Sequence, residues 1–168
     1  MKKIYLIRHA KSSWKDDEKR DFDRDLNKRG KNDANMMGKR LKIFNVKPDI
    51  LYSSPAKRAK ETAFLIAKEV GYDTKKITYL DNLYESSCET YMEIIKKIDN
   101  ENNAVFIIGH NPFITEIGEL LSGAILTNIP TCAIVCLEFE VTHFKDICEE
   151  SGKVLFFDYP KKHNNEKK

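Results

Sequence analysis

The chain has 168 residues, of which 41% are hydrophobic and 33% charged, and no apolar run approaches the roughly 20 residues that span a bilayer. The net charge of +3 comes from residues 161–168, which hold four lysines and one glutamate, so positions 1–160 carry 25 basic and 25 acidic residues. These properties favour one soluble globular domain over residues 1–160 with a basic, flexible tail over 161–168, and they give no support for nucleic-acid or membrane partners.

Along the chain, short apolar runs alternate with longer stretches of helical periodicity. We predict strands at Lys3–Arg8, Asp49–Ser53, Ile77–Leu80, Ala104–Gly109, Thr131–Glu140 and Val154–Tyr159. Helices are predicted over Lys28–Phe44 and Pro55–Val70, and two more begin near Ser86 and at Pro112. The alternation of strand and helix predicts a layered α/β domain.

Short polar motifs mark where the predicted helices begin. Ser54 suits the N-cap of the second helix, and Pro55 suits its first position. Ser86 and Glu89 have the spacing of a capping box at the third helix, and Asn111 suits the cap of the fourth. Two of these caps, Ser54 and Asn111, follow a predicted strand closely, which places free amide donors at strand ends.

The cysteines and the N-terminus indicate the compartment. Cys132 and Cys136 share a face of a predicted strand, but no second pair and no nearby histidine completes a metal site. We interpret the four cysteines of the chain as buried thiols of a protein from a reducing compartment. Only a few apolar residues precede Arg8, too few for a signal peptide, so we expect a cytoplasmic location.

Two histidines occupy matching positions directly after predicted strands. His9 follows the first strand in Arg-His-Ala, and His110 follows a later one in Gly-His-Asn-Pro. In open α/β sheets, ligands bind at the carboxyl ends of the strands. Arg58 lies in the first turn of a helix, where the helix dipole disfavours a cation unless an anion is bound; Lys57 and Lys60 are predicted to point into solvent. Together these residues predict an anion site.

The residue types in this site favour phosphoryl transfer. An arginine is always charged, and its planar fork matches phosphate oxygens in pairs. A histidine can act as a covalent nucleophile if one ring nitrogen is unprotonated and the other is held by an acceptor, which the sequence does not identify. The sequence contains no convincing metal cluster and no nucleotide-binding P-loop motif.

Three motifs, in this order, resemble the histidine phosphatase (phosphoglycerate mutase-like) superfamily and within it the SixA-type phosphohistidine phosphatase branch. They are Arg-His-Ala after the first strand, Ser-Pro-x-x-Arg after the second, and Gly-His-Asn-Pro after a later one. The resemblance also covers Lys11–Trp14, Asp23–Gly30 and Leu83–Glu85, so it runs from about residue 3 to the helix after His110. It implies a three-layer α/β/α sandwich with a mostly parallel central sheet, and a metal-independent reaction without a cofactor.

The resemblance implies a role for each matching residue. His9 would be the nucleophile that forms a phosphohistidine intermediate, Arg8 and Arg58 would clamp the phosphoryl oxygens, and His110 would complete the pocket. Glu85 would be the general acid that protonates the leaving group.

Two of the site assignments stay open at this point. The alternative for Glu85 is an ordinary polar residue ahead of a helix, and some SixA-type members lack this acid. Ser12 could contact the phosphate, but turn chemistry explains a serine there as well.

Ala10 and the length of the chain bear on the substrate. Ala10 stands where the wider superfamily most often has glycine, which argues against a mutase. The stretch between Arg58 and Glu85 is too short for a large capping insertion, so an open pocket that admits a phosphorylated protein side chain is expected.

We therefore predict a monomeric phosphatase that acts on protein phosphohistidine. The alternatives are a small-molecule phosphomonoesterase, a phosphoglycerate-type mutase, and a non-catalytic phosphate-binding module, which the retained His9 disfavours.

Overall fold

A six-stranded mixed sheet lies at the centre of the computed structural model, which describes residues 1–164. Its strands are β1 (Lys2–Arg8), β2 (Ile50–Ser53), β3 (Thr78–Tyr79), β4 (Ala104–Gly109), β5 (Ile134–Phe139) and β6 (Gly152–Asp158). Across the sheet they are ordered β3-β2-β4-β1-β5-β6, and β5 alone runs opposite to the other strands. The mostly parallel sheet that we expected is confirmed.

Helices cover both faces of the sheet. They are α1 (Lys28–Ile43), α2 (Lys57–Val70), α3 (Cys88–Lys96), α4 (Phe113–Ser122) and the short α5 (Lys161–Asn164). Tyr5 and Ile7 of β1 pack in one apolar cluster with α1 and α2, whereas Ile4 and Leu6 pack in a second cluster with α3 and α4. Because side chains alternate between the faces of a strand, a strand covered on both sides needs a continuous apolar run. The three-layer α/β/α architecture is confirmed.

Helices α2, α3 and α4 begin later than the sequence predicts, whereas α1 begins at Lys28 as predicted. Helix α2 begins at Lys57 rather than Pro55, because Ser54 Oγ accepts from the Ala56 amide, 3.2 Å away, before the helix starts. Helix α3 is capped one residue later than predicted, by Ser87, whose side chain accepts from the amide of Thr90.

Helix α4 begins at Phe113 and has no side-chain cap, because the predicted cap, Asn111, makes other contacts. Its Nδ2 donates to the carbonyl of Ile129 at 2.9 Å, and its Oδ1 accepts from the hydroxyl of Thr115 at 2.8 Å. Asn111 therefore ties α4 to the segment that precedes β5.

The C-terminal segment and the cysteines differ in part from expectation. Helix α5 occupies the first half of the expected flexible tail, where His163 Nε2 and Asp158 Oδ1 are hydrogen-bonded; residues 165–168 of that tail lie outside the described residues. Cys132 and Cys136 are buried as predicted, whereas Cys88 is half-buried and Cys148 is exposed. Within residues 1–164, the helices are too short or too polar to cross a membrane.

Candidate active site

The carboxyl ends of three adjacent strands bring the predicted site residues together. His9 follows β1, Ser54 follows β2, and His110 follows β4, which lies between those two strands. The backbone amide of His9 donates to the carbonyl of Gly109 at 3.1 Å, and that of Ser54 donates to the carbonyl of Ile108 at 3.0 Å. These bonds extend the sheet register beyond the strands, and the rings of His9 and His110 lie with their centroids 5.0 Å apart.

His9 is held in one orientation with one bare nitrogen. Its Nδ1 lies 2.7 Å from the carbonyl oxygen of Ala10, which only accepts, so Nδ1 carries a proton and donates. Its Nε2 accepts a hydrogen bond from Arg58 Nε at 3.4 Å. Burial, followed by the proximity of His110, lowers the pKa of His9 to about 3. The ring is therefore neutral near pH 7, with an unprotonated Nε2 inside the site.

His110 has an equally buried ring. Its Nε2 lies 2.7 Å from Ser54 Oγ, and its Nδ1 has no hydrogen-bond partner among the described residues. Burial and the charge of Arg58 lower the pKa of His110 to about 4. A buried ring nitrogen without a partner is unusual in a folded protein and is typical of a site that binds a ligand.

Three guanidinium groups converge on this region. Arg8 Nη1 donates to the carbonyl of Ile129 at 2.9 Å, while its Nε is buried without a partner among the described residues. Burial and the charge of Arg58 lower the pKa of both Arg8 and Arg24. Arg24 is 8% exposed, and its Cζ lies 3.4 Å from the centroid of the Trp14 ring. The buried Nε of Arg24 also has no partner within residues 1–164.

The carboxylate of Asp21 is paired with two of these arginines, Arg58 and Arg24. Asp21 Oδ2 accepts from Arg58 Nη2 at 3.0 Å and from the hydroxyl of Tyr84 at 2.6 Å, and its Oδ1 lies 3.7 Å from Arg24 Nη1. Arg58 Nη1 donates to the backbone carbonyl of Asp21 at 2.7 Å. Burial raises the pKa of Asp21, but the hydrogen bonds from Tyr84 and Arg58 outweigh it and lower the pKa. Asp21 is therefore ionised at neutral pH.

The other two predicted residues, Ser12 and Glu85, are not among the hydrogen-bond partners of His9 within residues 1–164. Ser12 is buried, and its Oγ accepts from Arg24 Nη2 at 2.6 Å, so this side chain supports an arginine. Glu85 is exposed and follows Tyr84 in the chain; it makes no hydrogen bond or ion pair within residues 1–164. The lysines of α2 are exposed as predicted, with Lys57 paired to Asp25 and Lys60 over the ring of Tyr79.

Sequence reasoning missed Asp21, Arg24 and Tyr84. Arg24 lies within Asp23–Gly30, one of the segments on which the family resemblance rests. Asp21 and Arg24 belong to a charged segment that has neither helical nor strand periodicity, so no pattern singles them out. The one local signal is Trp14, a large aromatic residue in this polar segment, on which the Arg24 guanidinium stacks. Within residues 1–164, no group of three or more His, Cys, Asp or Glu side chains is arranged to hold a metal ion.

The chain is similar to one protein family and to several known proteins. Residues 4–106 match the family model of the histidine phosphatase superfamily (branch 1). An uncharacterized chloroplastic protein of Arabidopsis thaliana is 30% identical over 145 residues, which cover 82% of this chain and 66% of that protein. An uncharacterized protein of Mycobacterium leprae is 28% identical over 167 residues, which cover 92% of this chain and 100% of that protein.

A third relative and two solved structures are also similar. The mitochondrial serine/threonine-protein phosphatase PGAM5 of Xenopus tropicalis is 44% identical over 73 residues, which are 44% of this chain and 25% of that protein. The structure of SixA from Agrobacterium tumefaciens has a TM-score of 0.80 at 28% identity and covers 95% of this chain and 98% of that one. A tungstate complex of the protein histidine phosphatase SixA has a TM-score of 0.81 at 19% identity, over 95% of this chain and 98% of that one. This last likeness concerns the fold alone.

Proposed function

Because the chain belongs to the histidine phosphatase superfamily, we propose that it is a metal-independent phosphatase in which His9 forms a covalent phosphohistidine intermediate. The favoured substrate is phosphohistidine in a protein. The observation that carries this proposal is the state of His9: its Nδ1 donates to the Ala10 carbonyl, so the unprotonated Nε2 faces Arg58. Because Nε2 is already unprotonated, no separate base has to remove a proton before this nitrogen attacks phosphorus.

In the first step, His9 Nε2 attacks the phosphorus and forms an N–P bond while the N–P bond of the substrate breaks. The electron pair of the broken bond goes to the leaving ring nitrogen. A substrate imidazole that carries a proton on its other nitrogen then leaves as a neutral ring and needs no acid. An ester would leave as an alkoxide and needs a proton, which Glu85 would supply.

In the second step, the oxygen of a water molecule attacks the phosphorus, and the electron pair of the broken bond returns to His9 Nε2. One proton of the water stays on the oxygen that becomes part of the phosphate, and the other passes to the Glu85 carboxylate or also stays on the released phosphate. Arg8, Arg24 and Arg58 would stabilise the charge of the transferring group in both steps, because Arg24 and Arg58 are buried and Arg8 is half-buried, where water screens charge less than in bulk solvent.

His110 would donate to a phosphoryl oxygen. Ser54 Oγ accepts from the Ala56 amide, and its hydroxyl proton can be donated to His110 Nε2, 2.7 Å away. In that arrangement, the proton of the neutral His110 ring rests on Nδ1, the nitrogen that has no partner within residues 1–164. A buried, unpartnered donor next to the nucleophile is suited to an incoming oxyanion.

The choice of phosphohistidine as substrate is supported by the likeness, at 28% identity, to the SixA structure from Agrobacterium tumefaciens, which is described as that of a phosphohistidine phosphatase. A second candidate is a phosphomonoesterase, which is favoured by the carboxylate of Glu85 beside Tyr84 and by the similarity of 73 residues to a serine/threonine-protein phosphatase.

The test is the substitution His9→Ala, with His143→Ala, an exposed histidine elsewhere, as the matched control. Both variants and the parent are incubated with a phosphohistidine protein and with a panel of small phosphoesters, with and without a chelator. We expect His9→Ala to lose at least about 1,000-fold in kcat and to trap no phosphoryl label on the enzyme, while the control keeps its rate.

Circular dichroism establishes that both variants fold. Undiminished turnover in His9→Ala would contradict the covalent route, and loss of parent activity with the chelator would contradict metal independence. Faster hydrolysis of the phosphoesters than of the phosphohistidine protein would favour the second candidate.

A further inference from the structure

A cavity of about 300 Å³ adjoins the candidate active site and is lined by four cationic side chains: Arg8, Lys11, Arg29 and Lys161. We call it the basic pocket. Thr131 and Tyr159 also line it, and no carboxylate within residues 1–164 does. His9, Arg58 and His110 do not line it, so Arg8 is the site residue that the basic pocket shares within the part of the chain that the structure describes.

The four cations come from separate elements of the fold. Arg8 ends β1, Lys11 follows it, Arg29 lies in the first turn of α1, and Lys161 begins α5 beyond the end of β6. Helix α5 is held in place by the hydrogen bond between His163 and Asp158. Arg29 Nε lies 3.6 Å from Asp33 Oδ2, but this carboxylate does not line the pocket. Within residues 1–164, positive charge therefore gathers here without a counter-ion in the cavity.

Such an arrangement attracts an anion. Like charges gathered in one concave site repel each other, and an anion that binds among them relieves this repulsion. Burial lowers the pKa of Arg8 first, and the charge of Arg58 lowers it further, so Arg8 already lies in an unfavourably positive environment. Because Arg8 faces both sites, a phosphoryl group on His9 and an anion in the basic pocket would share one guanidinium.

We propose that the basic pocket binds a second anionic group of the substrate, a carboxylate or phosphate placed close to the phosphoryl group that is transferred. This proposal rests on the proposed phosphatase function and names its substrate class. In a protein substrate, the second group is the side chain of an acidic residue beside the phosphorylated residue. In a small substrate, it is a second carboxylate or phosphate of the same molecule.

The experiment compares two matched pairs of substrates. One pair consists of phosphohistidine peptides that differ only in flanking aspartates or asparagines. The other pair consists of an alkyl phosphate and the same ester with an added carboxylate. For each pair, the ratio of kcat/KM values is measured in the parent, in the double variant Arg29→Gln/Lys161→Gln, and in Lys31→Gln, an exposed lysine on α1 that does not line the pocket.

We expect the parent to prefer the more anionic member of a pair by about tenfold, from contributions of about threefold each from Arg29 and Lys161. The double variant should bring this ratio close to one, and Lys31→Gln should keep it. A preference in the peptide pair identifies acidic side chains as the occupant, and a preference in the ester pair alone identifies a small substrate; both outcomes support the pocket. Equal ratios in the parent and the double variant overturn it.

The two proposals fail in different ways. If neither peptide is hydrolysed while the esters are, the assignment of protein phosphohistidine is wrong, and the basic pocket is still tested on the ester pair. If peptides and esters are hydrolysed without any preference, the proposed function stands and the basic pocket has no role in recognition. Thermal unfolding of the double variant excludes a general loss of structure as the cause.

Discussion

Asp21 occupies donors of Arg58 that a phosphoryl group would need. Its carboxylate and its backbone carbonyl together accept from both terminal nitrogens of Arg58. If Arg58 binds the phosphoryl group as proposed, that group must displace the carboxylate of Asp21 from Arg58. At the scale of single residues, we therefore propose that Asp21 competes with substrate and product.

We expect Asp21→Asn to bind inorganic phosphate more tightly, because the amide keeps the size of the side chain but loses its charge. The competitive inhibition constant of phosphate should fall about fivefold. This factor corresponds to the free energy that a partly exposed ion pair contributes. Asp23→Asn is the control, since Asp23 lies in the same 3-10 turn and pairs only with the exposed Arg20. A higher inhibition constant in Asp21→Asn would mean that Asp21 positions Arg58 rather than competing with phosphate.

Glu85 can be tested by the nature of the leaving group. We expect Glu85→Gln to lower kcat for phosphoserine about 100-fold, because an alkoxide needs a proton as it leaves. The loss for a phosphohistidine peptide should stay below about threefold, since a protonated imidazole ring leaves as a neutral molecule. Glu89→Gln, an exposed carboxylate in the first turn of α3, serves as the control. Equal losses for both substrates would remove Glu85 from its role as the leaving-group acid.

At the scale of elements, Gly109 sets how closely β4 approaches α3. A Cβ atom at this position would lie 2.2 Å from the hydroxyl oxygen of Tyr91, which is buried and has no hydrogen-bond partner within residues 1–164. The φ angle of Gly109 is not positive, so close contact rather than backbone freedom explains the glycine. Tyr91 therefore restricts the residue that precedes His110.

We expect Gly109→Ala to lower the free energy of unfolding by about 2 kcal/mol through overpacking, and to lower kcat by displacing His110. The double variant Gly109→Ala/Tyr91→Phe should regain most of both, because the phenylalanine lacks the oxygen that the new methyl group meets. Urea unfolding and turnover of the two single variants and the double variant measure this coupling. Additive losses would show that the hydroxyl of Tyr91 is not the obstacle.

The features of the fold and site that the sequence predicts are those that depend on residues close together in the chain. Strands with continuous apolar runs and the residues directly after them, His9 and His110, follow from the pattern of β1 and β4. Helices α2 and α4 begin later than predicted because Ser54 Oγ accepts from the Ala56 amide, whereas Asn111 bonds to Ile129 and Thr115 instead of capping its helix. The place of Arg24 among the site residues depends on the path of an irregular segment, which local periodicity does not describe.

At the scale of the whole molecule, the two buried histidines make stability depend on pH. Burial lowers the pKa of His9 to about 3 and that of His110 to about 4, whereas both rings regain a pKa of about 6.5 when the chain unfolds. Below pH 6.5 the unfolded state therefore binds protons that the folded state does not. The stability associated with the neutral rings is fully present above pH 6.5 and is lost as the pH falls toward 3 to 4.

Because each ring gains a proton only in the unfolded state, we expect it to lower the free energy of unfolding by about 2 kcal/mol between pH 7 and pH 5. Urea unfolding at both pH values should show that His110→Gln loses about 2 kcal/mol less than the parent over this interval. His143→Gln, which alters an exposed histidine, should lose as much as the parent. If the parent and His110→Gln respond equally to pH, His110 is not held neutral in the folded state.

The direction of β5 has a consequence for redesign. Because β5 alone runs opposite to its neighbours, its beginning rather than its end lies beside Arg8 and His9, and the segment leading into it supplies the Ile129 carbonyl that holds Arg8. Within that segment, Ile125 is 89% exposed. Substitutions in this segment would change the groups that contact Arg8 while leaving β1 and β4, the strands that His9 and His110 follow, untouched. This loop is where a library for altered substrate choice should be built.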